Sequence, residues 1–242
     1  MKSIILLLSL VLAPGCALAD KFQQMVLKND LDGIASELDN AADINARGTN
    51  GKTALMIVAR AGDHYLLQRL LDKGADPNAT NINDGTPIMF AAISGEPETL
   101  GLPIAAGADI NAQGSNGWNA LMVSAAKGHV QTTRQLLEHG ADVNAVDIYL
   151  WSALHRAAYE NRTAIVGLLV ECDDIDINLR DDHGATALHH AAANGNLEMV
   201  SLLVDAGVDV ASLDSSGRSA LAYALDQGHD ELRSILGDGD GA

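Results

Sequence analysis

The 242-residue sequence predicts an all-α repeat fold: a solenoid of stacked helix–turn–helix units joined by β-turn or hairpin loops. Three coincident registers predict it. A triplet recurs as Thr53-Ala54-Leu55, Thr86-Pro87-Ile88, Asn119-Ala120-Leu121, Ser152-Ala153-Leu154, Thr186-Ala187-Leu188 and Ser219-Ala220-Leu221, in steps of 33, 33, 33, 34 and 33 residues. Gly74, Gly107, Gly140 and Gly207 each follow their triplet by 21 residues. Asn45, Asn78, Asn111, Asn144 and Asn178 form the third series, in steps of 33, 33, 33 and 34.

The elements follow in chain order. Lys2 precedes an apolar run from Ile4 to Ala13, which Pro14-Gly15 breaks and Ala17-Leu18-Ala19 follows. That order of charge, short apolar core and small-x-small site describes a secretory signal peptide over residues 1–19, cleaved after Ala19. The run is far short of the ~20 apolar residues a spanning helix needs, so no direct membrane insertion is expected after cleavage. The alternative is a lipoprotein, cut at Gly15 and lipidated on Cys16, although Pro14 directly before that glycine fits the motif poorly. Residues 20–49 read as a degenerate N-terminal capping repeat, 50–213 as five repeats, 214–236 as a C-terminal capping repeat and 237–242 as a flexible tail.

Within a repeat, Leu55 and Ala59, then Leu66, Leu67, Leu70 and Leu71, give two short helical stripes separated by Gly62. Such a pair is too small to bury its apolar face alone, so neighbours must stack into one continuous core. Gly74 and its equivalents suit the left-handed residue that ends a helix. Small alanines on the first helix let successive repeats approach closely. Two departures predict local weakness. Gly101 and Pro103 fall inside the second helix of the second repeat, where proline removes a backbone bond at a cost of ~3 kcal/mol. In the fourth repeat the expected glycine is Asp173, and one residue is inserted before Asn178.

Ser152-Ala153-Leu154-His155-Arg156-Ala157-Ala158 and Thr186-Ala187-Leu188-His189-His190-Ala191-Ala192, with the tail Glu138-His139-Gly140-Ala141-Asp142-Val143-Asn144, resemble the ankyrin repeat over roughly residues 21 to 236. The resemblance implies a binding scaffold whose turn tips and first helices line a concave face. It also implies that His155 and His189 hydrogen-bond loops together, and that His129 and His229 occupy a family slot at the start of the second helix.

Composition narrows the partners. The chain carries 15 Lys+Arg against 32 Asp+Glu; losing Lys2 leaves 14 against 32, a formal charge of −18. Nucleic acid is excluded, because affinity there rests on basic residues neutralising phosphates, and anionic membrane surfaces for the same reason. A basic protein partner would be attracted. Removing residues 1–19 leaves Cys172 alone, so no internal disulfide can close.

Catalysis finds no support. No Ser/His/Asp set accompanies a nucleophile elbow, and the glycines follow the repeat step rather than a phosphate loop. Asp181-Asp182-His183 with His189-His190 could gather around a metal, but no HExxH or Cys/His spacing supports it. Asp174, Asp176 and Asn178 begin like a calcium loop, which then fails at Leu179 and Ala185. The reading is therefore no enzyme, no cofactor and no metal.

Binding residues are legible in the register. Trp118 and Trp151 lie 33 residues apart, at the turn position held elsewhere by Lys52, Gly85, Ala185 and Arg218. Both tryptophans are expected to project from neighbouring fingertips. Beside Trp151, Ile148, Tyr149 and Leu150 form an apolar loop, with Leu150 in a glycine position that suggests an altered turn. The residue after the histidine slot, expected to face the cup, is Ile57, Phe90, Val123, Arg156, His190 or Tyr223. Aromatic and arginine anchors dominate interface energies, so the candidate partner site is Phe90, Trp118, Tyr149, Leu150, Trp151 and Arg156. The sequence reads as an exported, periplasmic, monomeric module that binds another protein as an accessory or immunity partner, or as a passive envelope scaffold held through Cys16.

Overall fold

Helix starts are written into the triplets. Thr53, Asn119, Ser152 and Ser219 each accept a backbone N–H with the side chain and so cap the helix that follows, while Pro87 and Pro97 occupy first helical positions that need no N–H. A computed structural model describes residues 14–237 except Ala42, with side chains from Lys21 onward. The apolar core of the expected signal peptide, Ile4 to Ala13, and residues 238–242 of the expected tail lie outside the described residues.

Fourteen α-helices are present among the described residues, and no strands. They run α1 Pro14–Lys28, α2 Leu31–Glu37, α3 Ala54–Ala61, α4 His64–Asp72, α5 Pro87–Ser94, α6 Pro97–Ala105 and α7 Ala120–Lys127. The series continues with α8 Val130–Glu138, α9 Ala153–Tyr159, α10 Thr163–Val170, α11 Ala187–Ala193, α12 Leu197–Asp205, α13 Ala220–Asp226 and α14 Arg233–Leu236. First helices pack in the row α3, α5, α7, α9, α11, α13, and second helices in the row α4, α6, α8, α10, α12. Two layers of helices thus enclose one core.

That core repeats its contents. Leu55, Ile88, Leu121, Leu154, Leu188 and Leu221 are all buried, and Ala59, Ala92, Ala125, Ala158 and Ala192 are fully so. The alanines let adjacent first helices approach, and each buried leucine contributes ~1.5–3 kcal/mol. Pro103 takes the slot that Leu70, Leu136, Leu169 and Leu203 fill in other repeats, and it is buried. Despite it, α6 runs nine residues, the same as α4 and α8. Pro103 has no N–H to donate, but its carbonyl still accepts from Ala108 N (2.9 Å) and its buried ring fills the leucine slot.

Two ladders tie one repeat to the next. Asn78 donates from Nδ2 to Gly107 O at 3.0 Å and accepts from Asp109 N at 2.8 Å; Asn111 does the same with Gly140 O at 3.2 Å and Asp142 N at 2.8 Å. At the inserted fourth repeat Asn144 keeps the latch by using Asp174 O (2.7 Å) and Asp176 N (2.8 Å). The insertion is absorbed upstream of the latch, in the turn at 171–174 that follows the eight-residue α10. Gly74, Gly107, Gly140 and Gly207 have φ of 85–86°, the left-handed geometry that disfavours a Cβ. The loop tips form the second ladder, one backbone bond per step: Ile82 N to Asn50 O, Ser115 N to Asn83 O, Ile148 N to Asn116 O, Asp182 N to Tyr149 O and Ser215 N to His183 O.

His155 and His189 clip the loops together. Ser152 N donates to His155 Nδ1 (3.2 Å), and His155 Nε2–H reaches Ala185 O in the next repeat (3.3 Å). His189 repeats this with Thr186 N (3.1 Å) and Arg218 O (3.2 Å). Both rings need the neutral tautomer protonated on Nε2. Burial, reinforced by nearby His190, pushes His155 down to about 4, and burial also lowers His189.

Candidate functional site

The tip between Asn144 and α9 is built around one buried carboxylate. Asp147 Oδ1 accepts from Tyr149 N (2.8 Å) and Trp151 N (3.0 Å), which closes the turn. Its other oxygen pairs with the Arg156 guanidinium, and the carboxylate has no exposed surface. The turn is not altered by Leu150. Its φ is 59°, the left-handed geometry of Gly117 (79°) and Gly184 (75°) at the same register. Leu150 N still donates to Asp147 O (2.9 Å), as Gly117 N donates to Gly114 O and Gly184 N to Asp181 O (2.8 Å each). The hydrogen-bond frame therefore overrides the residue's preference, at a cost of roughly 1–2 kcal/mol for a side chain in this region. Backbone strain of this kind concentrates at functional sites.

The tip exposes apolar surface. Ile148 is 60% exposed, Tyr149 55% and Leu150 48%. Trp118 and Trp151, expected to project, are instead half-buried and turned toward each other across Arg156. The guanidinium carbon lies 4.4 Å from the Trp118 ring centre and 4.5 Å from that of Trp151. Each cation–π contact contributes ~0.5–2 kcal/mol, more as the pair is desolvated. The physical reason for the inward turn is this sandwich: Asp147 fixes the arginine, and the arginine holds both indoles.

Trp151 extends the cluster to the next repeat. Its ring centre lies 4.5 Å from His190 and 5.3 Å from Tyr159, which is 57% exposed. His190 Nε2 in turn meets Asp181 Oδ2 at 3.0 Å. Burial pushes Asp181 up, but hydrogen bonds from His190 and from the backbone of Ala185 and His183 outweigh it and hold the carboxyl below its ordinary value. The last repeat echoes the design: Asp214 Oδ2 accepts from Tyr223 Oη at 2.8 Å, and the Arg218 backbone N–H leads the bonds that hold this carboxyl far below the usual range. Arg156, His190 and Tyr223 are thus each tied to an aspartate nine residues upstream.

Of the six residues singled out in the sequence, Trp118, Trp151 and Arg156 come together in one sandwich, with Tyr149 and Leu150 at the exposed rim of the same tip. Phe90 does not join them. It is 8% exposed and lines a separate groove with Lys52, Met56, Ile57 and Arg60. Sequence reasoning missed Asp147, Tyr159 and the pairing role of His190. A signal existed in the aspartates at 147, 181 and 214, which keep the repeat step and precede each cup residue by the same interval. Asp181, Asp182 and His183 bring ligand atoms within 4.8 Å of one another. Yet Asp181 is already consumed by His183 N, Ala185 N and His190, so this cluster is a bonded turn rather than a vacant ligand set.

A family model of ankyrin repeats, in three copies, matches residues 22–113, 101–181 and 174–241. The chain belongs to the ankyrin repeat family. Among solved structures, the crystal structure of the human ASB11 ankyrin repeat domain is similar, with a TM-score of 0.78 and 21% identity, over 89% of this chain and 96% of that one. At that identity the likeness is one of fold. Ankyrin arrays are protein–protein interaction modules and typically non-catalytic scaffolds. No helix among the described residues is long and apolar enough to cross a membrane.

Proposed function

We propose that this ankyrin array is an exported module that grips a secreted or periplasmic protein as its accessory or immunity partner, through the tip of the fourth repeat. The observation that carries the binding site is the combination at that tip. A leucine is held in a left-handed position beside two other exposed apolar side chains, over a Trp–Arg–Trp sandwich anchored by a buried aspartate. An apolar rim over rigid aromatic and arginine anchors is the composition of interface hot spots. Pre-ordering of the sandwich lowers the entropic cost of docking. The formal charge of −17 favours a basic partner, whose association would weaken with salt.

Export rests on residues 1–19, whose charge, apolar core and Ala17-Leu18-Ala19 site fit a signal peptide. The test has two parts. Mass spectrometry of the chain recovered from a periplasmic fraction should give an N-terminus at Asp20; a lipidated Cys16 would favour the envelope scaffold instead, and a chain retained intact in the cytoplasm would refute export. Capture from native envelope extract by the full-length chain should yield one stoichiometric partner, lost when Trp118→Ala and Trp151→Ala are combined with helical content unchanged. Equal capture by both forms would eliminate the patch.

A further inference from the structure

Among the described residues Lys28, Lys127 and Arg134 lack ion pairs and side-chain hydrogen bonds, so what singles out two further unpaired cations is the groove they share. Lys52 and Arg60 flank α3, one just before its cap and the other in its last turn. Among the described residues neither makes an ion pair or a side-chain hydrogen bond, whereas Arg69, Lys73, Arg156 and Arg218 all meet carboxylates. Between them lies a groove of about 400 Å³ whose floor includes Met56, Ile57 and Phe90, with Leu31 at its edge. Among the described residues no carboxylate lines it. Lys52 Nζ stands 5.7 Å from the centre of the Phe90 ring, so its charge sits over the apolar floor. Arg60 also favours the helix C-terminus electrostatically, but that role does not account for Lys52 or for the groove.

We infer that this groove is a second binding site, taking an extended acidic segment of a partner protein with an aliphatic or aromatic residue between two carboxylates. Spacing sets the pattern. The eight-residue α3 is about 12 Å long at the helical rise, with Lys52 just before its cap and Arg60 in its last turn. An extended chain covers about 13 Å in four residues, with residues i, i+2 and i+4 on one face. Carboxylates at i and i+4 therefore meet the two cations while the side chain at i+2 enters the groove against Ile57 and Phe90. The chain's many other carboxylates act through solvent, and those beyond about 8 Å are largely screened at physiological salt. The two local cations therefore decide the sign of the site. This site is separate from the tip of the fourth repeat and stands or falls independently of it.

The test is selection of a random twelve-residue peptide library on the immobilised full-length chain, followed by fluorescence anisotropy of the selected peptides. Enrichment of Asp or Glu four positions apart around an apolar residue is expected, with affinity falling about tenfold or more in Lys52→Glu and in Arg60→Glu. Lys127→Glu, a charge change on α7 outside the groove, and the Trp118→Ala/Trp151→Ala pair should leave that affinity unchanged. Both cations are solvent-accessible, and circular dichroism checks that the variants fold. Selection of basic or neutral peptides, selection of none, or acidic peptides indifferent to Lys52 and Arg60 would each overturn the inference.

Discussion

Acidification from pH 8 to pH 5 should cost the fold about 2 kcal/mol through His155, which takes up a proton in the unfolded chain while the fold keeps it neutral. The ring is 1% exposed, and Nδ1 accepts from Ser152 N while Nε2–H donates to Ala185 O. A second ring proton would face the Ser152 donor and leave a charge in the core. Its pKa is lowered from 6.5 to about 4, mainly by burial. A histidine with a depressed folded pKa contributes stability that is fully present above the unfolded value. That stability is lost as pH falls from about 6.5 toward about 4. Linkage over this window amounts to about 3 kcal/mol in full and about 2 kcal/mol by pH 5. The assay is urea unfolding at both pH values, for the native chain and for His155→Gln. With a slope of ~2 kcal/mol per molar urea, the native midpoint should fall by about 1 M more than that of the variant. The variant starts lower at pH 8, because it loses a clip between repeats. Parallel pH responses in the two proteins would refute the reasoning, since the acid sensitivity would then lie elsewhere.

The other predictions concern strain, latches and the thiol. Leu150→Gly should leave the unfolding free energy in urea within about 1 kcal/mol of the native value, because relief of ~1–2 kcal/mol of left-handed strain offsets the lost half-burial of the leucine. Partner capture should nevertheless fall, and a destabilisation above ~2 kcal/mol would show that the turn carries no strain. Asn111→Ala removes both bonds of one inter-repeat latch and should destabilise by about 1–2 kcal/mol, with faster amide exchange at Asp142. Cys172 should react slowly with an alkylating reagent at pH 7, because burial and then the Asp173, Glu171 and Asp174 carboxylates push its thiol up. Rapid labelling of the folded chain would contradict that placement.

Much of the fold was legible because repetition writes it many times over. The triplet, the terminal glycines and the latch asparagines each perform a local task, and local tasks show in sequence spacing. The candidate site was legible in part: Trp118, Trp151 and Arg156 were found from register alone. Their mutual contact was not, because a register says which repeats hold a residue and not which rotamer it takes. Leu150 illustrates the limit most directly. Its departure from glycine suggested a changed turn, but the bonds from Asp147 and from neighbouring tips hold the turn in place and strain the residue instead.

The sequence by itself determined the helix pairs, their stacking order and the acidity, since a 33-residue period with apolar stripes permits no other way to bury its surface. Tertiary structure decided where charge is spent. It buries Asp147 under Arg156 and turns two indoles inward, yet among the described residues leaves Lys52 and Arg60 without carboxylates above an apolar groove. Those outcomes depend on distances across neighbouring repeats, which the order of residues along the chain does not express.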